Sequence, residues 1–190
     1  MRRMIRKQHK SNGWLTELLD HEIRPFSALV DRLSHPALPA PVKLSAPPAS
    51  SEAVRKSMKG NKRSNTKPEL LVRERLRAAG LTGSRLQWKV PGHPDVAWPG
   101  KKVALFVNGC FWHRCPRCQP SMPKSNVEYW VVKFERNVER DERSRAALEA
   151  QGWTVHVIWE CQLKKKAIDA TMADLLPQLA EELGKELKSL

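Results

Sequence analysis

The chain is short of acidic charge, of long apolar runs and of cysteine, and each shortage narrows what it can be. No apolar stretch is long enough to span a bilayer, so a membrane-crossing helix is not expected. Basic residues open the N-terminus without an apolar core behind them, which argues against a secretory signal. Glu17, Asp20, Glu22 and Asp31 interrupt the same region and argue against a transit peptide. Four cysteines in a chain with no secretion signal favour metal ligation over disulfides, and with it a reducing, cytoplasmic compartment. No internal repeat occurs.

The acidic shortage is large. Lys and Arg number 34 against 20 Asp and Glu, giving a net charge of +14 and a pI near 10.0. Such a field draws polyanions, nucleic acid before anionic membrane. The charge is concentrated. Residues 55–89 carry eleven basic residues, Lys62 and Arg63 among them, against Glu69 and Glu74. A merely solvated helix surface accounts poorly for so lopsided a block.

At 190 residues the chain suits one domain plus a tail. Residues 1–54 read as an N-terminal extension. Within it Pro36, Pro39, Pro41, Pro47 and Pro48 recur among Ala and Ser, so 34–51 is expected to be an extended linker. Upstream, apolar residues from Trp14 to Leu33 suit a short helical hairpin broken at Pro25. A true start near Met58 is the alternative. The remainder, 55–190, becomes compact near Thr66. Thr66-Lys67-Pro68-Glu69 is a capping box with proline just inside the helix. Leu70, Leu71, Leu76 and Ala79 supply its apolar face, and Gly80 ends it. Strands are expected over Leu86–Val90, Asp95–Trp98 and Val103–Val107, the last two flanking a Pro99-Gly100 turn. Ser125-Asn126-Val127-Glu128 reads as a second capping box, opening a long helix with Val127, Trp130, Val131, Phe134 and Val138 in register. Gly152 ends that helix. A strand from Trp153 to Trp159 and an amphipathic helix from Ile168 to Leu187 follow. The expected order is α-β-β-β-α-β-α.

The cysteines make one pattern. Cys110, Cys115 and Cys118 have the spacing of zinc ligands, and Cys161 is the only candidate for a fourth. A Zn²⁺ closed by four thiolates is structural, because no coordination position stays open. Chemistry must then lie beside it. Asp95 follows Pro-Gly-His-Pro and opens a strand that pairs with the one ending at Val107, a place from which a carboxylate and a backbone carbonyl can share Mg²⁺. By itself Pro-Asp is better read as a turn. With the sulfurs filling the zinc, His113 is free to act as general base on water; its entry into the zinc shell in place of a cysteine is the rival reading. Glu69 is fully explained as a capping residue, and a role near the metal is the alternative. Phe111 and Trp112 flank a metal ligand and a His, and are expected to project from the loop. Trp130 lies on an apolar stripe and suits core packing.

Taken together, these residues resemble the very-short-patch mismatch repair endonucleases. The shared strings run from about Met58 to Leu187: Thr66-Lys67-Pro68-Glu69-Leu70, Pro91-Gly92-His93-Pro94-Asp95, Gly109-Cys110-Phe111-Trp112-His113, Asn126 to Trp130, Asn137-Val138-Glu139-Arg140-Asp141, and Gly152-Trp153 through Trp159-Glu160-Cys161. The Gly-Cys-Phe-Trp-His string is the specific one. The resemblance implies an α/β, restriction-endonuclease-like core of αβββαβ order, a mixed sheet flanked by helices, with a structural zinc site. It implies nicking of double-stranded DNA at a T:G mismatch, with other mismatch repair proteins as partners and a nucleoid-associated location in a bacterial cytoplasm. It assigns catalytic Mg²⁺ to Asp95 and the Val107 carbonyl, the base to His113, and a contribution nearby to Glu69. Phe111, Trp112, Trp130 and Met58 would enter the DNA, with Lys62 and Arg63 on its phosphates. Two departures stand out. Val107-Asn108 replaces Thr-His, which removes one imidazole and leaves Asn108 at a catalytic position; a cysteine, Cys115, stands where members often use a His for zinc. A nuclease of the same fold with another DNA target is the second reading. A non-catalytic zinc module that binds nucleic acid is the third.

Overall fold

The computed structural model describes residues 45–49 and 51–188. The expected hairpin at 14–33 and most of the linker lie outside the described residues. Helix α1, Glu52–Gly60, was not expected. Ser51 caps it, its hydroxyl accepting from the Val54 N–H at 3.2 Å, and Arg55 pairs with Glu52 at 2.7 Å. No residue of α1 is buried.

Helix α2, Lys67–Ala78, begins as its capping box requires. The Glu69 carboxylate reaches back and accepts from the Thr66 N–H at 3.4 Å, the Thr66 hydroxyl at 2.7 Å and the Asn65 N–H at 2.8 Å. One side chain thus satisfies the N–H groups of the cap residue and of the residue before it. The buried face is Val72 and Leu76. Leu70, expected on that face, is exposed; it lies two residues from Val72, which turns it by about 200° around the helix.

Strand β1, Val96–Trp98, turns through Pro99–Lys101 into β2, Val103–Asn108. Lys102 supplies the left-handed residue that the tight turn needs, with φ 51°. The two strands pair antiparallel, Val96 opposite Leu105. Helix α3, Val127–Ala150, then returns the chain to β3, Thr154–Trp159. Strand β3 pairs parallel with β2 from Val103↔Thr154 to Asn108↔Trp159, as a crossover connection permits. Helix α4, Ile168–Leu183, completes the order. The sheet order among the described residues is β1-β2-β3.

The strand expected at Leu86–Val90 does not form. A single bridge joins Arg85 to Ala97. Beyond it Gln87 turns left-handed at φ 46°, and the Val90 N–H bonds locally to the Trp88 carbonyl at 2.8 Å. Those conformations abandon the ladder. The second capping box also fails: Asn126 itself is left-handed at φ 53°, so α3 starts without a side-chain cap. Gly184 ends α4 at Leu183, so Leu187 lies outside it and is exposed.

Both faces of the sheet are covered, which is why its strands read as nearly continuous apolar runs. On one face Val96, Trp98, Val103, Leu105 and Ile158 pack with Val72 and Leu76 of α2 and Met172, Leu176 and Leu179 of α4. On the other, Ala97 and Ala104 meet Leu148 and Trp153, with Phe106 and Val155 beside them. Ala97 sits opposite Ala104 in the register, and these two small side chains make room for α3. Burial of each large aliphatic side chain contributes about 1.5–3 kcal/mol.

Candidate active site

The parallel β2 and β3 end side by side, and the chain leaves both at the same edge of the sheet. A groove of about 1340 Å³ opens there. One wall is the segment from Gly60 to Leu70, bringing Lys62, Arg63 and Glu69. The floor is Asp95 with Val107 and Asn108, and the far wall is Trp112 and His113 with Arg140, Asp141 and Arg145 of α3. The catalytic candidates of the sequence therefore face one space.

Asp95 stands just before β1, where the ladder to β2 has run out. Its carboxylate takes over the pairing: Oδ2 accepts from the Val107 N–H at 2.7 Å. Oδ1 accepts from the Gln87 side-chain amide at 3.0 Å. Burial pushes its pKa from 3.8 up to about 6. The charge of Glu69 adds to that rise, while the Val107 N–H, the Gln87 amide and His113 oppose it. A carboxylate held ionised against desolvation is what a divalent cation would relieve. Glu69 is 6% exposed and its capping contacts account for its position. Its charge acts on Asp95 across the groove.

His113 bonds through Nδ1 to the carboxylate of Asp141. Both side chains are about a quarter exposed. The pairing fixes the ring's orientation and leaves Nε2 as its other nitrogen. Arg140 sits beside the same carboxylate at 3.4 Å. One turn earlier on α3, the Asn137 side chain donates to the Trp112 carbonyl at 3.0 Å and pins the loop that carries His113. Asp141, Asn137 and Gln87 are partners that sequence reasoning missed. For the first two the signal was the Asn137–Asp141 string itself, whose polar residues recur at helical spacing. For Gln87 there was none. Asn108 lines the groove, and its side chain makes no hydrogen bond among the described residues.

The expected projection of Phe111 and Trp112 is not what forms. They sit half-buried in an aromatic cluster: Phe111 lies edge-on to Trp112 at 5.0 Å, to Trp130 at 5.5 Å and to Phe134 at 5.1 Å. Trp130 stacks on Phe134 at 5.4 Å. Each such pair contributes about 0.5–1.5 kcal/mol beyond its area, which outweighs holding a loop's aromatic side chains in water. Met58 is on α1 and 47% exposed.

The cysteines converge. The sulfurs of Cys110, Cys115, Cys118 and Cys161 all lie within 4.8 Å of one another, and Cys115 and Cys161 are 3.8 Å apart. Bonds of about 2.3 Å to a tetrahedral ion imply sulfurs about 3.8 Å apart. The register of β2 and β3 explains the convergence. It sets Cys110, two residues past Asn108, against Cys161, two past Trp159. The Cys161 N–H donates to the Cys110 sulfur at 3.2 Å, and the Cys110 N–H donates to Glu160 at 3.3 Å. Burial pushes the Cys110 and Cys161 thiols up. It acts most strongly on Cys115 too, but the N–H groups of Cys118 and Arg117, together with the neighbouring Cys161 and Cys118 sulfurs, hold that thiol low. N–H groups aimed at sulfur suit bound thiolates, so this donor set fits a soft divalent ion. His113 is turned to Asp141 and stands apart from the four sulfurs.

A family model described as DNA mismatch endonuclease Vsr matches residues 50–119. Over 113 residues the chain is 41% identical to the type II nicking enzyme V.XorIIP of Xanthomonas oryzae pv. oryzae, a match covering 59% of this chain and 83% of that protein. It is 38% identical over 125 residues to the type II nicking enzyme V.NaeI of Lentzea aerocolonigenes, covering 63% and 75%. It is 33% identical over 125 residues to the DNA mismatch endonuclease Vsr of Escherichia coli, covering 62% and 80%.

Proposed function

From the premise that the chain belongs to the DNA mismatch endonuclease Vsr family, we propose that it nicks one strand of duplex DNA at T:G mismatches, in very-short-patch repair, using Mg²⁺. The observation that carries this reading is the meeting of Asp95 and the His113–Asp141 pair in one groove walled by Lys62 and Arg63. Asp95, with the Val107 carbonyl, would hold Mg²⁺, which when bound polarises the scissile phosphate and stabilises the leaving oxygen. His113 takes the proton of the attacking water at Nε2. Asp141 keeps Nδ1–H engaged, so the imidazole presents its basic nitrogen and its positive charge is stabilised once it forms. Lys62 and Arg63 hold backbone phosphates without reading sequence. The sulfurs of Cys110, Cys115, Cys118 and Cys161 would hold structural Zn²⁺ and so lock the loop that carries His113.

Selectivity follows from the aromatic cluster. Phe111, Trp112 and Trp130 form a wedge already assembled beside the groove, and Met58, exposed on α1, would enter the DNA with them. Opening a base step costs a few kcal/mol, less at a mismatch than at a paired site. We assign catalysis to residues 55–190, acting on chromosomal DNA in a bacterial cytoplasm. Among the described residues no helix is long and apolar enough to cross a membrane.

Labelled T:G and C:G duplexes, incubated with Mg²⁺ or with EDTA, test the proposal. Nicking of the T:G strand alone, and only with Mg²⁺, is the expected result. Equal cutting of both duplexes favours a sequence-directed nicking enzyme instead, a reading that the names of V.XorIIP and V.NaeI keep open. Binding without cutting on either duplex removes the enzyme reading altogether.

A further inference from the structure

Gln87 sits in a backbone conformation that its side chain does not favour, with φ 46°. A left-handed residue other than Gly, Asn or Asp costs about 1–2 kcal/mol. The segment is held in place from one side. Arg85 and Ala97 exchange two backbone hydrogen bonds, at 2.7 and 2.8 Å, and two residues later the chain turns Gln87 over the groove. Its Nε2 then donates to Asp95 Oδ1 at 3.0 Å. The other carboxylate oxygen is already fixed by the Val107 N–H at 2.7 Å. Asp95 is therefore gripped at both oxygens, each by a neutral donor, and each oxygen keeps one lone pair. Leu86 and Trp88, on either side of Gln87, are exposed, so the turn gains little from packing. The hydrogen bond to Asp95 is what the strained residue accomplishes.

We propose that Gln87 is a positioning residue for divalent-metal binding: it locks the Asp95 carboxylate in the orientation that presents its remaining lone pairs to the groove. The inference rests on Asp95 being the metal ligand. Neutral donation suits the task, because a cationic donor at the same place would compete with the metal. Residues that hold a ligand in place in this way typically contribute 10–100-fold to metal affinity.

The test uses Mn²⁺ as probe, titrated into the zinc-loaded full chain without DNA and read by the loss of the free-ion electron paramagnetic resonance signal. Gln87→Gly removes the amide and relieves the backbone at once. It is expected to weaken Mn²⁺ binding at least tenfold while leaving the melting temperature close to wild type, because relief of the strained backbone offsets the lost hydrogen bond, and weaker binding in an intact fold is what a purely structural role does not produce. Gln87→Asn, one methylene too short to reach Asp95, is expected to weaken binding similarly. Mn²⁺ affinity unchanged in both variants, with binding abolished in Asp95→Ala, overturns the role of Gln87 alone. Undiminished binding in Asp95→Ala as well overturns the metal site and the inference with it.

Discussion

Replacing Asp95 by Asn should make the metal-free protein more stable. The side chain keeps its shape and its acceptor for the Val107 N–H, and the amide of Gln87 can turn to offer its oxygen. What disappears is a buried negative charge. The Asp95 pKa stands at about 6 against 3.8, roughly two units at about 1.4 kcal/mol each. The expected gain is about 2–3 kcal/mol at pH 7.5, or roughly 5–10 °C in melting temperature for a domain of this size. The sign follows from linkage. The folded state holds the proton more tightly than the unfolded one, so ionised Asp95 destabilises the fold above pH 6. Below about pH 4 both states are protonated and the difference vanishes. Thermal melts of the two proteins from pH 4 to 8, in buffer without Mg²⁺, measure it. Adding Mg²⁺ should then raise the melting temperature of the wild type and leave the variant unmoved. A variant less stable than wild type at pH 7.5, or a difference constant across the pH range, refutes the reasoning.

Three further outcomes are expected. Asp141→Asn deprives His113 of its orienting carboxylate and should slow single-turnover nicking about 100-fold or more with DNA affinity intact; a wild-type rate contradicts the pairing's role. Cys161→Ser should release zinc from the purified protein, measured by atomic absorption, and a full complement of metal in the variant removes Cys161 from the ligand set. Glu69→Ala takes away the carboxylate that accepts three hydrogen bonds at the start of α2 and should lower stability by about 1–2 kcal/mol in urea denaturation; an unchanged midpoint shows that the cap is not what Glu69 contributes.

The sequence announced the parts whose signals are local. The box at Thr66–Glu69, the turn at Pro99-Gly100, the apolar run of β2 and the alternating residues of β3 each state their own geometry, and each formed. The four cysteines were legible because their spacing is itself the signal, although only the parallel pairing of β2 with β3 shows why Cys161 belongs with Cys110. The failures share a cause. At Leu86–Val90 the alternation was real, but Gln87 is turned to Asp95 and the strand is given up to that contact. At Ser125 the local cap lost to the left-handed Asn126. Phe111 and Trp112 were expected to project because nothing in their spacing says that Trp130 and Phe134, about twenty residues on, would receive them. The Asn137–Asp141 string marked Asp141 as a polar helical position, but nothing in it named His113, 28 residues earlier, as the partner. What crosses the fold, unlike what repeats along it, leaves little trace in one chain.

The central claim is that Asp95 holds the ion that cuts. Its most direct measurement is strand cleavage of a T:G duplex in Mg²⁺ by Asp95→Ala, with DNA binding of the same preparation followed by fluorescence anisotropy. The account predicts binding close to wild type and no nicked product. Undiminished nicking by the variant contradicts it.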